Sequence, residues 1–223
     1  MRPAAFLFDL DGTLVDTEPL WVEAIVAWLA DRGASATADA IMSLVFGHSW
    51  LDIQAALHAE FPQLPKANAV EDAATLRPYY DRLATDPAKQ VIAGSVAFFR
   101  KAAKIAPCVI VSGSPHDDVA KAAELCGISH LVRFVLGGEE CGRGKPAPDG
   151  FLKAASMLDV DASECVVIED STAGVAAGRA AGMSVIGIDR NARVRQDFSG
   201  CEWLVNDLSE IDVKAVFGGA EEG

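Results

Sequence analysis

Two aspartates separated by one residue, Asp9 and Asp11, directly follow the apolar run from Ala5 to Phe8. The run lacks helical spacing and suits a strand buried on both faces. On an extended chain the two carboxylates point to the same side, so a cation, a proton or separation must relieve their repulsion. A hard divalent metal ion is the simplest relief, while Gly12 permits a tight turn and Thr13 offers a hydroxyl. The stretch favours a reaction centre, although a turn with two solvated aspartates would give the same pattern.

A second polar cluster follows the apolar run from Cys108 to Val111. Ser112 and the backbone N–H of Gly113 would face a bound phosphate, and the N-terminus of the next helix would add partial positive charge. Ser114 is expected to cap that helix, with Pro115 at its first position. An ordinary N-cap turn is the simpler interpretation of this segment taken alone.

A loop rich in glycine and proline, residues 141–148, contains Lys145. A nucleotide-binding P-loop would need glycine at 139 and serine or threonine at 146, where the chain has Glu139 and Pro146, so that interpretation is rejected. The prolines predict a rigid loop that aims Lys145 inward. The alternative is an exposed lysine without a special role.

A third strand-like run, from Cys165 to Ile168, ends in Glu169 and Asp170. An acidic pair at the end of a buried strand is costly without a counter-charge, and a metal ion shared with Asp9 and Asp11 would supply it. The alternative is a solvated acidic helix start, favoured by the helix dipole.

The elements that position these residues alternate between helices and short apolar runs from Gly94 onward. This pattern predicts an α/β fold with a Rossmann-like parallel sheet, whose ligands bind beyond the carboxyl ends of the strands. The predicted helices of this part span 94–104, 116–126, 149–158, 172–181 and 208–217.

Between residues 18 and 83 the strand signals disappear and only helical patterns remain, at 18–33, 38–46, 51–61 and 70–83. This inserted segment is predicted to form a second, all-helical domain. We place the core domain at 1–16 and 89–223 and the helical domain at 17–88, with hinges at the two connections.

Composition limits the possible partners. The chain has 223 residues, 51% of them hydrophobic, and a formal net charge of −13, which disfavours nucleic acid and anionic membranes as primary partners. Its five cysteines form no C-x-x-C pair and are expected to be reduced. No stretch has transmembrane length, and Asp9 interrupts the first apolar run too early for a secretory signal, so we expect a cytoplasmic protein.

Together these motifs resemble the haloacid dehalogenase (HAD) superfamily, over nearly the whole chain. D-x-D-G-T-L from Asp9 matches the first motif and Ser112 the second, while Lys145 in G-K-P-x-P-D matches the third and Glu169-Asp170 the fourth. The chain is most similar to the subgroup with a helical cap inserted after the first motif. That subgroup includes phosphoglycolate phosphatases, β-phosphoglucomutases and small-sugar phosphatases.

The resemblance implies roles for the core residues. Asp9 would be the nucleophile that forms an aspartyl-phosphate, and Asp11, which true haloacid dehalogenases lack, would be the general acid and then the base. Mg²⁺ would be held by Asp9, the backbone carbonyl of Asp11 and Asp170, with Glu169 in the outer shell. A carboxylate can accept a phosphoryl group while Lys145 offsets its charge, and Ser112 can orient the phosphoryl oxygens.

The resemblance places the substrate-specificity loop of the cap at residues 47–50, so His48 and Trp50, together with Trp21 and the core residue Gly113, are predicted to bind substrate. β-Phosphoglucomutases have a histidine where this chain has Trp21, and an arginine where it has Trp50.

We therefore expect an Mg²⁺-dependent phosphatase of small phosphorylated metabolites, with sugar phosphates as the favoured substrates, that acts as a monomer and uses neither nucleic acid nor membrane as a partner. A sugar phosphomutase is one alternative, and a non-catalytic protein that binds phosphorylated metabolites is another.

Overall fold

The computed structural model describes residues 2–45, 48–190 and 195–217, and its centre is a parallel sheet. In chain order the strands are β1 (Ala5–Phe8), β2 (Cys108–Val111), β3 (Val132–Leu136), β4 (Cys165–Glu169), β5 (Ser184–Ile188) and β6 (Trp203–Val205). They lie in the order β3-β2-β1-β4-β5-β6. All their pairings are parallel, and β1 lies between β2 and β4. The predicted α/β fold is confirmed.

Helices cover both faces of this sheet. They are α5 (Ala93–Ala102), α6 (His116–Leu125), α7 (Asp149–Leu158), α8 (Thr172–Ala180) and α9 (Val213–Phe217). Successive β1 residues alternate between two hydrophobic clusters: Phe6 and Phe8 pack with the α5 residue Phe99, whereas Leu7 packs with the α7 residue Phe151. Burial on both faces explains why the strand sequences are continuously apolar.

Four further helices follow β1 and form the helical insert: α1 (Glu18–Ala30), α2 (Ala38–Val45), α3 (Trp50–Glu60) and α4 (Ala69–Leu83). They share a hydrophobic cluster of their own, centred on residues such as Trp28, Leu57 and Leu76. The capping box of Asn68 and Glu71 fixes the start of α4. The insert therefore has a hydrophobic core of its own.

The two connections to the helical insert run side by side. Val15 and Val91 form an antiparallel bridge, and the backbone N–H of Asp16 donates to the carbonyl of Gln90 at 2.7 Å. Any movement of the insert relative to the sheet would therefore involve both connections together.

One predicted helix, 208–217, is wrong in its first part. The structure has a 3-10 turn at Leu208–Glu210, and α9 begins only at Val213. The reason is local: the Asp212 carboxylate accepts the backbone N–H of Lys214, so it caps α9 and separates the helix from the turn. The predicted end of α2 at Phe46 lies outside the described residues.

In the described part of the chain, no helix combines the length and the apolar character needed to cross a membrane.

Candidate active site

The carboxyl ends of three adjacent strands bring the candidate residues together. Because β2, β1 and β4 are neighbours in the sheet, the segments after them meet at one edge. Asp9 follows β1, Ser112 follows β2, and Asp170 follows β4, whose last residue is Glu169. All four side chains are buried.

The three carboxylates at this edge of the sheet form a tight cluster. Oxygen atoms of Asp9, Glu169 and Asp170 all lie within 4.8 Å of one another. Burial raises the pKa of Asp9 to about 7, although Lys145 acts in the opposite direction. Burial, and then the charges of Asp9 and Glu169, raise the pKa of Asp170 well above its ordinary value. The cluster therefore offers buried, mutually repelling oxygen ligands, the donor set that suits a hard divalent cation.

Lys145 neutralises part of this charge. Its ammonium group forms ion pairs with Asp9 and, at 2.5 Å, with Glu169. Burial alone would lower the pKa of this amine, but the two carboxylates outweigh burial and hold its pKa above the usual lysine value. Lys145 thus stays charged, directly beside Asp9.

The two oxygens of Glu169 are already occupied. Oε1 accepts from Lys145, while Oε2 accepts from the backbone N–H groups of Asp170 and Ser171 and from the Ser171 hydroxyl. Glu169 therefore holds the turn after β4 and the lysine in place, and its lone pairs are less available to a cation than those of Asp9 and Asp170.

Glycines make room for the acidic side chains. A Cβ on Gly174, in the first turn of α8, would lie 1.8 Å from the Glu169 carboxyl group. A Cβ on Gly12 would lie 1.9 Å from Asp170, and Gly12 also has a positive φ of 82°. Side chains at these two positions would displace the carboxylates of the cluster.

Asp11 lies beside the cluster, and two hydroxyl groups hold its carboxylate. Thr17 donates to Oδ1 at 2.6 Å and Ser114 donates to Oδ2 at 2.8 Å. Both donors were missed as site residues. Ser114 was predicted as a helix cap, which is wrong: α6 is preceded by Pro115, which makes no side-chain cap bond. Proline at that position moves the helix start beyond Ser114, so the serine hydroxyl is free to reach Asp11.

A cavity of about 720 Å³ lies between this edge of the sheet and the helical insert. It is lined by all the candidate site residues except Glu169: Asp9, Asp11, Ser112, Gly113, Lys145 and Asp170 from the core, and Trp21, His48 and Trp50 from the insert. Ser112 and Gly113 thus face the same space as Asp9.

The aromatic residues of the cavity are fixed by their neighbours. The Trp21 ring stacks on Tyr80 with 4.0 Å between ring centroids, and the Tyr80 hydroxyl donates to Gln90. The Trp50 indole N–H donates to the Ala69 carbonyl at 2.7 Å, so this tryptophan also ties the start of α3 to the start of α4. His48 is exposed.

An ion pair joins the insert to the core across the cavity. Arg77 of α4 donates to Asp118 of α6 at 3.1 Å, and both residues line the cavity. The sequence pattern does not predict this pair, because the two residues lie on different helices and each has the pattern of an ordinary exposed charged residue.

Comparison with known proteins identifies the family. The sequence pattern of the haloacid dehalogenase-like hydrolases matches residues 3–182, which is most of the chain. This protein belongs to the haloacid dehalogenase-like hydrolases. The match includes the segments that carry Asp9, Ser112, Lys145 and Asp170.

Two curated members of the haloacid dehalogenase-like hydrolases align along almost the full length. Hexitol phosphatase A of Escherichia coli (strain K12) is 34% identical, covering 96% of this chain and 95% of the relative. The β-phosphoglucomutase of Mycobacterium tuberculosis is 31% identical, and the alignment covers 93% of this chain and 90% of that relative. A solved haloacid dehalogenase hydrolase from Deinococcus radiodurans, with bound phosphate and sodium, is 26% identical with a TM-score of 0.72, covering 98% of this chain and 97% of that one. The predicted family and the predicted enzyme class, a phosphatase, are confirmed.

Proposed function

We propose that this protein is an Mg²⁺-dependent phosphatase of small phosphorylated metabolites, sugar phosphates among them, that acts through an aspartyl-phosphate on Asp9. The observation that carries the proposal is the pairing of Asp9 with Lys145 at the floor of the cavity, beside an Asp11 that two hydroxyls hold in place. The relative that acts as a hexitol phosphatase supports the substrate class. We further propose that the enzyme is a cytoplasmic monomer.

The first chemical step uses the Asp9 carboxylate as the nucleophile. An oxygen of Asp9 forms a bond to phosphorus while the bond from phosphorus to the leaving alcohol breaks, and the Asp11 carboxyl group gives its proton to that alcohol. Lys145 keeps its charge beside the transferring group, and Ser112 with the backbone N–H of Gly113 orients the phosphoryl oxygens.

The second step restores the carboxylate. Asp11, now ionised, accepts a proton from water as the water oxygen attacks phosphorus, and the bond from phosphorus to Asp9 breaks to release inorganic phosphate. The Thr17 and Ser114 hydroxyls hold the Asp11 carboxylate in position throughout.

The residues present fit a magnesium ion. Asp9, Asp170 and the backbone carbonyl of Asp11 would hold it, and Glu169, whose oxygens already accept from Lys145 and Ser171, would remain in the outer shell. When bound, the ion offsets the negative charge of the carboxylates and of the phosphoryl group.

We propose that the helical insert, residues 17–88, acts as a cap domain that moves relative to the core domain of residues 1–16 and 89–223. Its two connections to the core are joined by the bridge between Val15 and Val91. The ion pair of Arg77 and Asp118 links the insert to the core across the cavity. Trp21, His48 and Trp50 would contact the leaving group, which differs between substrates, whereas the core grips the phosphoryl group that all of them share.

The experiment is a phosphate-release screen on phosphorylated sugars, polyols and glycolate, run with Mg²⁺ and with EDTA. Asp9→Asn is tested beside Glu23→Gln, which removes an exposed charge from α1. We expect turnover only with the divalent ion, no turnover by Asp9→Asn, and a phosphoryl group on Asp9 in wild-type protein quenched in acid. Near-normal turnover by Asp9→Asn would refute the covalent mechanism, and undiminished turnover without metal would refute the metal requirement.

A sugar phosphomutase is the second candidate, favoured by the mycobacterial relative at 31% identity. Incubation with β-glucose 1-phosphate distinguishes the two activities. A phosphatase releases inorganic phosphate and glucose, whereas a mutase yields glucose 6-phosphate with little free phosphate. Binding of phosphorylated sugars without turnover of any ester would instead support the non-catalytic alternative.

A further inference from the structure

The charged side chains of α4 and α6 that line the cavity are already paired with each other. Arg77 of α4 contacts Asp81 at 2.8 Å and Asp118 at 3.1 Å, and Lys121 of α6 lies 3.7 Å from Asp118. All four of these residues line the cavity. The guanidinium of Arg77 thus has a carboxylate on either side.

The lining as a whole carries excess negative charge. Among the described residues that line the cavity, the carboxylates are Asp9, Asp11, Glu18, Asp81, Asp118 and Asp170, against the cationic side chains of Arg77, Lys121 and Lys145 and the imidazole of His48. Lys145, the lysine of the catalytic floor, is engaged by Asp9 and Glu169. A divalent ion at the acidic cluster would offset negative charge at the floor of the cavity, where the phosphoryl group would bind. It would not neutralise the carboxylates of α4 and α6.

Much of the rest of the insert wall is apolar or aromatic, with Trp21, Ile25, Ile53 and Leu76 among its residues, and Glu18, His48 and Ser49 add polar groups. Such a wall suits the carbon skeleton of an alcohol. A second phosphate or a carboxylate on the leaving group would instead lie among the carboxylates of α4 and α6 and would have to compete with them for Arg77.

From this arrangement we infer that the cavity selects phosphate monoesters with an uncharged leaving group, a polyol or a sugar, and discriminates against bisphosphates and phosphorylated carboxylic acids. The inference rests on the proposed phosphatase function and defines its substrate class more closely. Asp81 and Asp118 are then specificity residues, because they hold Arg77 away from a second anion.

The test compares kcat/KM for two matched pairs of substrates. Fructose 1-phosphate is set against fructose 1,6-bisphosphate, and glycerol 3-phosphate against 3-phosphoglycerate, so that each pair differs chiefly by one anionic group. We expect wild-type enzyme to prefer the uncharged partner by about tenfold or more, the effect of one unfavourable unit charge a few ångströms away in a partly solvated cleft. The preference should decrease at high ionic strength, because salt screens charges that solvent reaches.

The double variant Asp81→Asn with Asp118→Asn frees Arg77. It should lower the preference for the uncharged substrate in both pairs by about tenfold. Loss of the contact between insert and core could slow all substrates, but an equal slowing would not change these ratios. The matched control is Asp117→Asn, which removes an exposed carboxylate next to Asp118 that does not line the cavity. The control should keep the wild-type preference.

Equal kcat/KM for both members of each pair in an active wild-type enzyme would overturn the inference and leave the phosphatase function standing. An unchanged preference in the double variant would also overturn it, since discrimination would then be steric. No hydrolysis of any of the four esters, nor of the wider panel, would overturn the proposed function together with it.

Discussion

Replacing the proposed nucleophile should stabilise the metal-free protein. Asp9 is buried in a cluster with Glu169 and Asp170, and burial raises its pKa from 3.8 to about 7. An asparagine side chain would have nearly the shape of a protonated aspartate but no charge to desolvate. Asp9→Asn therefore removes a group that is unfavourable in its ionised form.

The sign and size of the effect follow from the two pKa values. Between pH 4 and pH 7 the folded wild-type protein holds a proton on Asp9 that the unfolded chain has released, so this group's contribution to stability falls as pH rises. The fall is at most about 1.4 kcal/mol per pH unit and ends once the Asp9 carboxyl group is ionised in the folded protein as well. Asp9→Asn should have nearly the wild-type free energy of unfolding below pH 4 and should exceed it at pH 8 by up to a few kcal/mol.

Urea denaturation in EDTA at several pH values measures this difference directly. Glu23→Gln, an exposed change on α1, serves as the control and should follow the wild type at every pH. Added Mg²⁺ should stabilise the wild type, because an ion that binds only the folded state adds its binding free energy, and should stabilise Asp9→Asn less. Equal stability of Asp9→Asn and wild type at pH 8, or a less stable variant, would refute the argument that burial destabilises the ionised Asp9.

Two more substitutions test the geometry around the site. Gly174→Ala places a Cβ where the Glu169 carboxyl group lies, so it should lower the free energy of unfolding by roughly 2–4 kcal/mol and remove most of the turnover. Gly144→Ala, whose Cβ meets no atom within 4 Å, is the stability control. Equal urea midpoints for the two variants would contradict the prediction. Trp50→Ala should change the ratios of kcat/KM between substrates severalfold more than it lowers kcat/KM for p-nitrophenyl phosphate. Trp50→Phe is the matched variant, because it keeps an aromatic ring and loses only the hydrogen bond to Ala69. An equal proportional loss on every substrate would identify Trp50 as a packing residue.

The acidic cluster was predictable from the sequence because two regularities fix its position. Strands buried on both faces are continuously apolar, so Asp9 and Asp170 mark the ends of β1 and β4 without ambiguity. Parallel strands also place their carboxyl ends at one edge, which makes side chains 161 positions apart in sequence neighbours. Neither argument depends on side-chain detail.

Contacts that depend on side-chain rotation were beyond such reasoning. Ser114 reaches Asp11 only because α6 starts beyond Pro115, and Thr17 reaches it only because the chain turns back after Gly12. Serine and threonine before a helix are most often caps, so local propensity pointed to the wrong partner for Ser114. The link between Arg77 and Asp118 depends on how the insert packs against the core, which no local pattern encodes.

The same repulsion that costs stability gives the site its chemistry. Two glycines leave space for carboxylates that cannot all be ionised and unpaired, and Lys145 offsets only part of their charge. A divalent cation would restore charge balance and, in the proposed reaction, would also lower the cost of bringing a phosphoryl dianion to Asp9. If the cluster existed only to stabilise the fold, neutral residues of similar size would serve better, since buried ion pairs are often no more stable than apolar substitutes. Three carboxylates at the strand ends therefore fit the proposed phosphoryl transfer better than a purely structural role, and the packed apolar faces of the sheet offset their cost.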